Sequence, residues 1–237
     1  MVDGTERGER PEREERPVLS AEAVDALVAR IRSLSDAAGR RVLIGITGSP
    51  GSGKTTLARA VVNRINGGAA AAGPAVHLPM DGFHLANSTL DRLGIHDRKG
   101  AIETFDGWGF VALLDRLRTE HGHTVYAPSF RRTVDEGVAG EIAVEDSATI
   151  VVIEGNYLLS DAAPWSGVRE MLDAAWFCST PVAERERRLI DRHTRHGRTP
   201  EAATAWAREV DGANAVLIEQ SVERADLVVS GVTGEVL

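Results

Sequence analysis

The sequence lacks the features of a disulfide-bonded, metal-cluster or membrane protein. Cys178 is the only cysteine in the 237 residues, which excludes an internal disulfide and a cysteine-based metal site. No apolar run reaches the length of about eighteen residues that a membrane helix needs, and the charged N-terminus lacks the apolar centre of a signal peptide. We therefore expect a soluble, cytoplasmic protein.

Lysine and aromatic residues are also scarce. Lys54 and Lys99 are the only lysines among 27 basic residues, and aromatic residues make up 5% of the chain. Because arginine supplies almost every other positive charge, a remaining lysine indicates a place that needs a compact ammonium group. The net charge of −8 argues against nucleic acid as the main partner, although phosphorylated small molecules remain compatible with it.

Residues 45–56 read GITGSPGSGKTT and contain a complete G-x-x-x-x-G-K-[ST] pattern. The β-branched run RVLIGIT precedes it and the helical pattern KTTLARAVVNRI follows it, which is the context that a phosphate-binding loop requires. Its backbone N–H groups and the start of the helix would hold nucleotide phosphates. The predicted nucleotide-binding residues are Gly48, Ser49, Gly51, Ser52, Gly53, Lys54, Thr55 and Thr56.

Apolar strand patterns alternate with helical patterns along the chain, which predicts an α/β fold. We expect a three-layer sandwich in which helices cover both faces of a mostly parallel sheet. Residues 1–19 are predicted to form a disordered tail, and residues 20–237 a single domain. Within it, residues 82–146 would include the acceptor region and a hairpin flap, and residues 192–213 a lid.

Two acids follow predicted strands. Asp81 comes just after AVHLPM, and Glu154 ends the apolar run ATIVVIE. Because ligands gather at the carboxyl ends of parallel strands, both should lie near the phosphate loop. Glu154 and the Thr55 hydroxyl are candidates to hold Mg²⁺. Asp81 is a candidate to accept or position the proton of a substrate hydroxyl, although an Asp-Gly turn explains it equally well.

Arginines provide the remaining candidates. Arg192 and Arg195 follow a helical pattern with three-residue spacing, so they could close over the phosphates as part of a lid. A solvated helix face is the alternative for each. Arg131 and Arg132 in PSFRR could also reach a substrate, and His84 could do so because it lies close to Asp81 in the sequence.

The segments GSPGSGKTT, PMDGFH, DRKGAIETFD, VVIEGNYLL and RHTRHGR together resemble the P-loop kinases grouped with uridine kinase, phosphoribulokinase and bacterial pantothenate kinase. The resemblance covers about residues 40–230, and is greatest to small bacterial nucleoside/nucleotide kinase-like, or sugar-kinase-like, members. It implies that Asp81 is the catalytic base or positions the acceptor hydroxyl, that Glu154 belongs to the Mg²⁺ region, and that Arg192 and Arg195 are lid arginines. The resemblance to pantothenate kinases further implies acceptor contacts, which are Glu103, Asp106 and Asn214.

The predicted function is an ATP-dependent kinase that uses Mg²⁺ and phosphorylates a hydroxyl of a small metabolite. Lys54, Asp81, Arg192 and Arg195 would be catalytic, and His84 and Arg131 would join the acceptor contacts. The acceptor could be a nucleoside, pantothenate or a sugar. The alternative is a nucleotide-binding regulatory ATPase without an acceptor; a GTPase switch is disfavoured because the chain has no N-K-x-D motif. A homodimer is the prior expectation for the assembly.

Overall fold

The structure is a computed structural model that describes residues 19–68 and 73–237. The predicted tail therefore lies outside the described residues, apart from Leu19. The described residues include no helix that is long and apolar enough to span a bilayer.

The helices and strands alternate along most of the chain. The helices are α1 (Ala21–Ala38), α2 (Lys54–Ile65), α3 (Asn87–Leu93), α4 (Gly107–Thr119), α5 (Val168–Met171), α6 (Val182–Arg195) and α7 (Pro200–Glu219). The strands are β1 (Val42–Thr47), β2 (Ala75–Pro79), β3 (Val125–Arg131), β4 (Glu136–Val144), β5 (Ile150–Glu154), β6 (Ala174–Ser179) and β7 (Leu227–Ser230). Helix α3 lies in the segment that the sequence assigned to the acceptor region.

Five strands form one parallel sheet in the order β2-β5-β1-β6-β7. Alternate residues of each strand face opposite layers, as the period of two requires. Ile44 and Val152 pack with α1 and α2, whereas Leu43 and Val151 pack with α4 on the other side. The predicted α/β sandwich with a parallel sheet is confirmed.

The order of the strands determines where the polar candidate residues lie. Strand β5 lies between β1 and β2, and all three run parallel. Their carboxyl ends carry the phosphate loop, Glu154 and the turn Met80–Phe83 that contains Asp81. These groups therefore share one edge of the sheet.

Strands β3 and β4 form a separate antiparallel hairpin, which we call the flap. The flap packs closely on the turn that carries Asp81. A Cβ on Gly82 would lie 2.3 Å from the carbonyl oxygen of Pro128 in β3, and a Cβ on Gly137 would lie 2.6 Å from the carbonyl oxygen of Gly82. Glycine at both positions allows this contact between the two backbones.

Candidate active site

The phosphate loop joins β1 to α2, with Gly53 as the N-cap of the helix. Gly48 has φ 148°, and a Cβ there would lie 2.4 Å from the carbonyl oxygen of Cys178. A side chain at this position would therefore both strain the backbone and displace β6. The loop needs glycine here to keep its N–H groups directed at a bound phosphate.

Side chains beneath the loop fix its path. The carbonyl oxygen of Ser52 accepts a hydrogen bond from Thr180 Oγ1 at 2.8 Å, and Arg188 Nη1 lies 3.4 Å from it. The hydroxyl of Ser49 is buried and donates to Glu219 Oε1 of α7 at 2.5 Å. Ser49 thus supports the loop through its side chain and Ser52 through its carbonyl oxygen, whereas Ser52 Oγ is buried without a hydrogen-bond partner in the described part of the chain.

Thr55 and Glu154 lie together at the start of α2. Thr55 Oγ1 donates to Glu154 Oε1 at 3.0 Å, and Glu154 is 3% exposed. His77 Nε2 is 3.8 Å from the same oxygen, which is beyond hydrogen-bonding distance. Burial alone would raise the pKa of the Glu154 carboxyl, but the neighbouring His77 and the charge of Lys54 outweigh burial and hold that pKa below its ordinary value.

A hydroxyl and an ionised carboxylate are hard oxygen donors of the kind that Mg²⁺ prefers. Thr55 and Glu154 are 3.0 Å apart at the mouth of the phosphate loop, and His77 Nε2 behind them has no hydrogen-bond partner in the described part of the chain. The residues present therefore fit a magnesium ion that accompanies a nucleotide.

Two cavities meet at the phosphate loop. The first, of about 740 Å³, extends from Gly51 and Gly53 over the start of α2 to Arg188 and Leu189 of α6. We call it the nucleotide cavity. The second, of about 430 Å³, is the acceptor cavity; the turn of Asp81, the flap, and helices α6 and α7 form its walls. Of the described residues, four line both cavities, and they are Lys54, Thr55, Arg132 and Arg192.

The four shared residues mark the point where the cavities join, and three of them are cationic. Among residues 19–68 and 73–237, Lys54, Arg132 and Arg192 make no side-chain hydrogen bond or ion pair. Burial lowers the pKa of the Arg192 guanidinium; the charge of Asp211 opposes this effect and the charge of Arg132 reinforces it. An anionic group between the cavities would relieve this concentration of positive charge.

Aromatic rings line one side of the acceptor cavity. The His84 imidazole stacks on Phe105 with ring centroids 4.0 Å apart, and Phe130 of the flap lies 5.0 Å from His84. On the α7 side, Arg198 Cζ is 3.8 Å from the centroid of the Trp206 ring. The cavity thus combines flat apolar surfaces with polar groups, as small-molecule sites do.

His84 is uncharged at neutral pH. The pKa of its imidazole is lowered to about 4, mainly by burial; the charges of Lys99 and Arg132 also lower this pKa, whereas those of Asp81 and Asp135 oppose the shift. Its Nδ1 is buried without a hydrogen-bond partner among the described residues. A neutral ring with a vacant nitrogen can hydrogen-bond to a hydroxyl of a ligand.

The structure brings most of the predicted site residues together. Asp81, His84 and Asn214 line the acceptor cavity, and Asn214 Nδ2 donates to the carbonyl oxygen of Gly100 at 3.3 Å. Thr56 and Arg195 line the nucleotide cavity. Arg195 is largely exposed and forms an ion pair with Asp191 one turn away in α6.

Three predicted acceptor contacts do not line the acceptor cavity. Glu103 forms an ion pair with Arg98 at 2.6 Å. Asp106 is the N-cap of α4, where its Oδ1 accepts a hydrogen bond from Gly109 N at 2.8 Å, so helix capping already accounts for it. Arg131 pairs with Glu141 across the outer face of the flap, and its neighbour Arg132 lines the cavity instead.

Sequence reasoning missed several lining residues. Lys99 Nζ contacts Asn87 Oδ1 at 2.6 Å and Asp135 Oδ2 at 2.7 Å, and its side chain is 12% exposed. His193 and Asp211 pair at 2.7 Å and join α6 to α7. The scarcity of lysine was a signal for Lys99, whereas nothing local in the sequence indicates the pair on α6 and α7.

Comparison with known proteins assigns the chain to a class. Residues 43–236 match the model of the family described as phosphoribulokinase / uridine kinase. The chain therefore belongs to the phosphoribulokinase / uridine kinase family, and it is a P-loop kinase of that type.

Individual relatives lie within the same class. The chain is 32% identical over 195 residues to a protein of Schizosaccharomyces pombe named as a putative uridine kinase, covering 80% of this chain and 83% of the other. A crystal structure of a putative fructose transport system kinase from Silicibacter sp. TM1040 is similar with a TM-score of 0.76 and 38% identity. That similarity covers 86% of this chain and 98% of the other. A pantothenate kinase of Lacticaseibacillus casei (strain BL23) is 31% identical, but over only 48% of this chain and 36% of its own length.

Proposed function

We propose that the protein is an ATP-dependent kinase that transfers the γ-phosphoryl group to a hydroxyl of a small metabolite. The observation that carries this proposal is the meeting of the two cavities at Lys54, Arg132 and Arg192. A phosphoryl group passing between a donor and an acceptor would lie at this junction, where three cations that make no ion pair within the described residues would stabilise its charge.

The proposed reaction is a single in-line transfer. Asp81 accepts the proton of the acceptor hydroxyl, the acceptor oxygen forms a bond to the γ-phosphorus, and the bond from the γ-phosphorus to the β,γ-bridging oxygen breaks. The electron pair of the broken bond leaves with ADP, and Asp81 later releases its proton to solvent. Lys54 and Arg192 stabilise the charge of the transferred group. Mg²⁺, which Thr55 and Glu154 would hold, supplies charge neutralisation at the β- and γ-phosphates when it is bound.

Nucleoside-type and sugar-type acceptors have more support than pantothenate. The relatives named as a putative uridine kinase and a putative fructose transport system kinase share over four-fifths of their lengths with this chain, whereas the pantothenate kinase shares 36%. The acceptor cavity of about 430 Å³ is within the size range of small-molecule sites. Its uncharged His84 and stacked rings are suited to a polyhydroxylated or heterocyclic ligand.

A screen for acceptor-stimulated ADP release tests the proposal. The panel consists of nucleosides, free sugars and pantothenate, each with ATP and Mg²⁺, and Lys54→Ala is the blank. We expect at least one compound to accelerate ADP release by the wild-type protein. Asp81→Asn should then lower the rate of phosphoryl transfer by a factor of about 10² to 10⁴, because it removes the base. The variant should still bind ATP, because the phosphate loop is unchanged.

The regulatory ATPase is distinguished by the same screen. A protein without an acceptor would release ADP at one rate whatever compound was added. Near-normal turnover of Asp81→Asn with a good acceptor would contradict the assignment of Asp81 without contradicting the kinase itself.

A further inference from the structure

The tip of the flap presents two adjacent arginines to opposite sides. Arg131, the last residue of β3, pairs with Glu141 of β4 at 2.8 Å and has a side chain that is 59% exposed. Arg132 follows it in the tight turn that leads to β4, and it lines both the nucleotide cavity and the acceptor cavity. Within the described part of the chain, the Arg132 guanidinium has no hydrogen bond or ion pair.

Lys99 fixes the same turn to the wall of the acceptor cavity. Its Nζ contacts both the carbonyl oxygen and Oδ2 of Asp135, at 2.5 and 2.7 Å, and it lies 5.2 Å from the centroid of Phe130. Asp135 has φ 54°, a left-handed conformation that is unusual for a residue other than glycine. The contacts with Lys99 offset the cost of this conformation at the flap tip.

Asn87 at the start of α3 adds further contacts to the flap tip. Its backbone N donates to Glu136 Oε1 at 3.0 Å, and its side-chain Nδ2 donates to the carbonyl oxygen of Asp135 at 3.2 Å. The base of the flap is held independently by the close backbone contact with Gly82, next to Asp81. The position of Arg132 is therefore determined by contacts at both ends of the flap.

We propose that Arg132 is a further catalytic residue that contacts the γ-phosphate, and that Lys99 positions it by holding Asp135. This inference rests on the proposed kinase function and deepens it. Helix α6 would supply Arg192 from one side of the transferred group, and the flap would supply Arg132 from the other. The flap also forms part of the wall of the acceptor cavity through Phe130. The same element would therefore shape the acceptor site and add positive charge where the two cavities join.

Nucleotide binding tests Arg132 without knowledge of the acceptor. The affinities of wild type, Arg132→Ala and Arg131→Ala for AMP-PNP and for ADP are measured by calorimetry with Mg²⁺ present. Because AMP-PNP carries a γ-phosphate and ADP does not, we expect Arg132→Ala to bind AMP-PNP about fivefold or more weakly and ADP within about twofold of wild type. Arg131→Ala is the matched control, and both of its affinities should stay within about twofold.

An AMP-PNP affinity of Arg132→Ala within twofold of wild type would overturn the proposal. An equal loss for AMP-PNP and ADP would also overturn it, because the contact would then not be with the γ-phosphate. Failure of the proposed kinase function would be recognised separately, as a wild-type protein that no acceptor stimulates, since these titrations contain no acceptor.

A double-mutant cycle tests the positioning role of Lys99. Lys99→Met keeps an apolar stem beside Phe130 and removes the charge that holds Asp135. We expect it to weaken AMP-PNP binding more than ADP binding, and to have little further effect when Arg132 is already alanine, because the two residues act in series. Additive losses in AMP-PNP affinity would show that Lys99 acts independently of Arg132 and would contradict this part of the inference.

Discussion

The pKa of His84 leads to a quantitative prediction about stability. In the folded protein burial lowers this pKa to about 4, from the ordinary value of 6.5 that applies when the chain is unfolded. The unfolded chain therefore binds a proton at a higher pH than the folded protein does. Neutral His84 therefore contributes fully to the free energy of unfolding above pH 6.5, the pKa of this group in the unfolded chain. This contribution is lost progressively as the pH falls from 6.5 towards 4.

The size of the effect follows from the two values. Linkage between them gives a loss of about 2 kcal/mol in the free energy of unfolding between neutral pH and about pH 5. His84→Gln removes this term because the amide side chain does not titrate. We expect wild type to lose about 2 kcal/mol more than His84→Gln over the same interval, measured by urea unfolding at the two pH values.

A control variant and one contradicting result complete the test of His84. His121→Gln, which replaces an exposed histidine, serves as the control and should follow wild type at both pH values. If wild type and His84→Gln lose the same stability between neutral pH and pH 5, the imidazole is not neutral by burial, and its proposed role as an uncharged acceptor contact is refuted.

Three further predictions concern the phosphates and the metal. Gly48→Ala should weaken ATP binding about tenfold or more in calorimetry, because its Cβ would lie 2.4 Å from a backbone oxygen; unchanged affinity would contradict the close packing of the loop. Glu154→Gln should raise the Mg²⁺ concentration needed for half-maximal activity about tenfold, because glutamine keeps the shape of the side chain and removes its negative charge. An unaltered Mg²⁺ titration would show that the ion binds elsewhere. Arg192→Ala should lower kcat about 10²-fold or more. Arg195→Ala should lower kcat less than about threefold, because the Arg195 guanidinium is already paired and exposed. Equal effects of the two substitutions on kcat would contradict the proposal that phosphoryl transfer occurs where the two cavities join.

The sequence was most informative where an apolar strand pattern is followed directly by a candidate functional residue. The apolar runs that stop at Gly48, Asp81 and Glu154 predicted both a parallel sheet and a shared functional edge, and the structure places all three at the carboxyl ends of neighbouring strands. The signal is clearest for β1 and β5, which are buried along their whole length, so a polar residue at the end of their apolar run stands out. The edge strand β2 is only partly buried and contains His77, so its signal for Asp81 is weaker. This part of the site needed no knowledge of the tertiary structure.

The flap and the acceptor walls were harder to predict. Which of Arg131 and Arg132 faces the cavity depends on the register of the hairpin, and that register shifts between Ala127 and Ser129. Asp106 matched a family segment, yet D-x-x-G before an amphipathic run is also an N-cap pattern that would have predicted its hydrogen bond to Gly109. The contact of Lys99 with Asp135 joins residues 36 positions apart, so no local pattern encodes it.

The central claim is that donor and acceptor cavities meet at a point of phosphoryl transfer. The most direct measurement is detection by mass spectrometry of a phosphorylated acceptor, formed from ATP by wild type and compared with Lys54→Ala and Asp81→Asn. We expect one acceptor class to yield a phosphorylated product in amounts equal to the ADP released, with neither variant forming it at a comparable rate. ADP release that never produces a phosphorylated acceptor would contradict the claim and favour a regulatory ATPase.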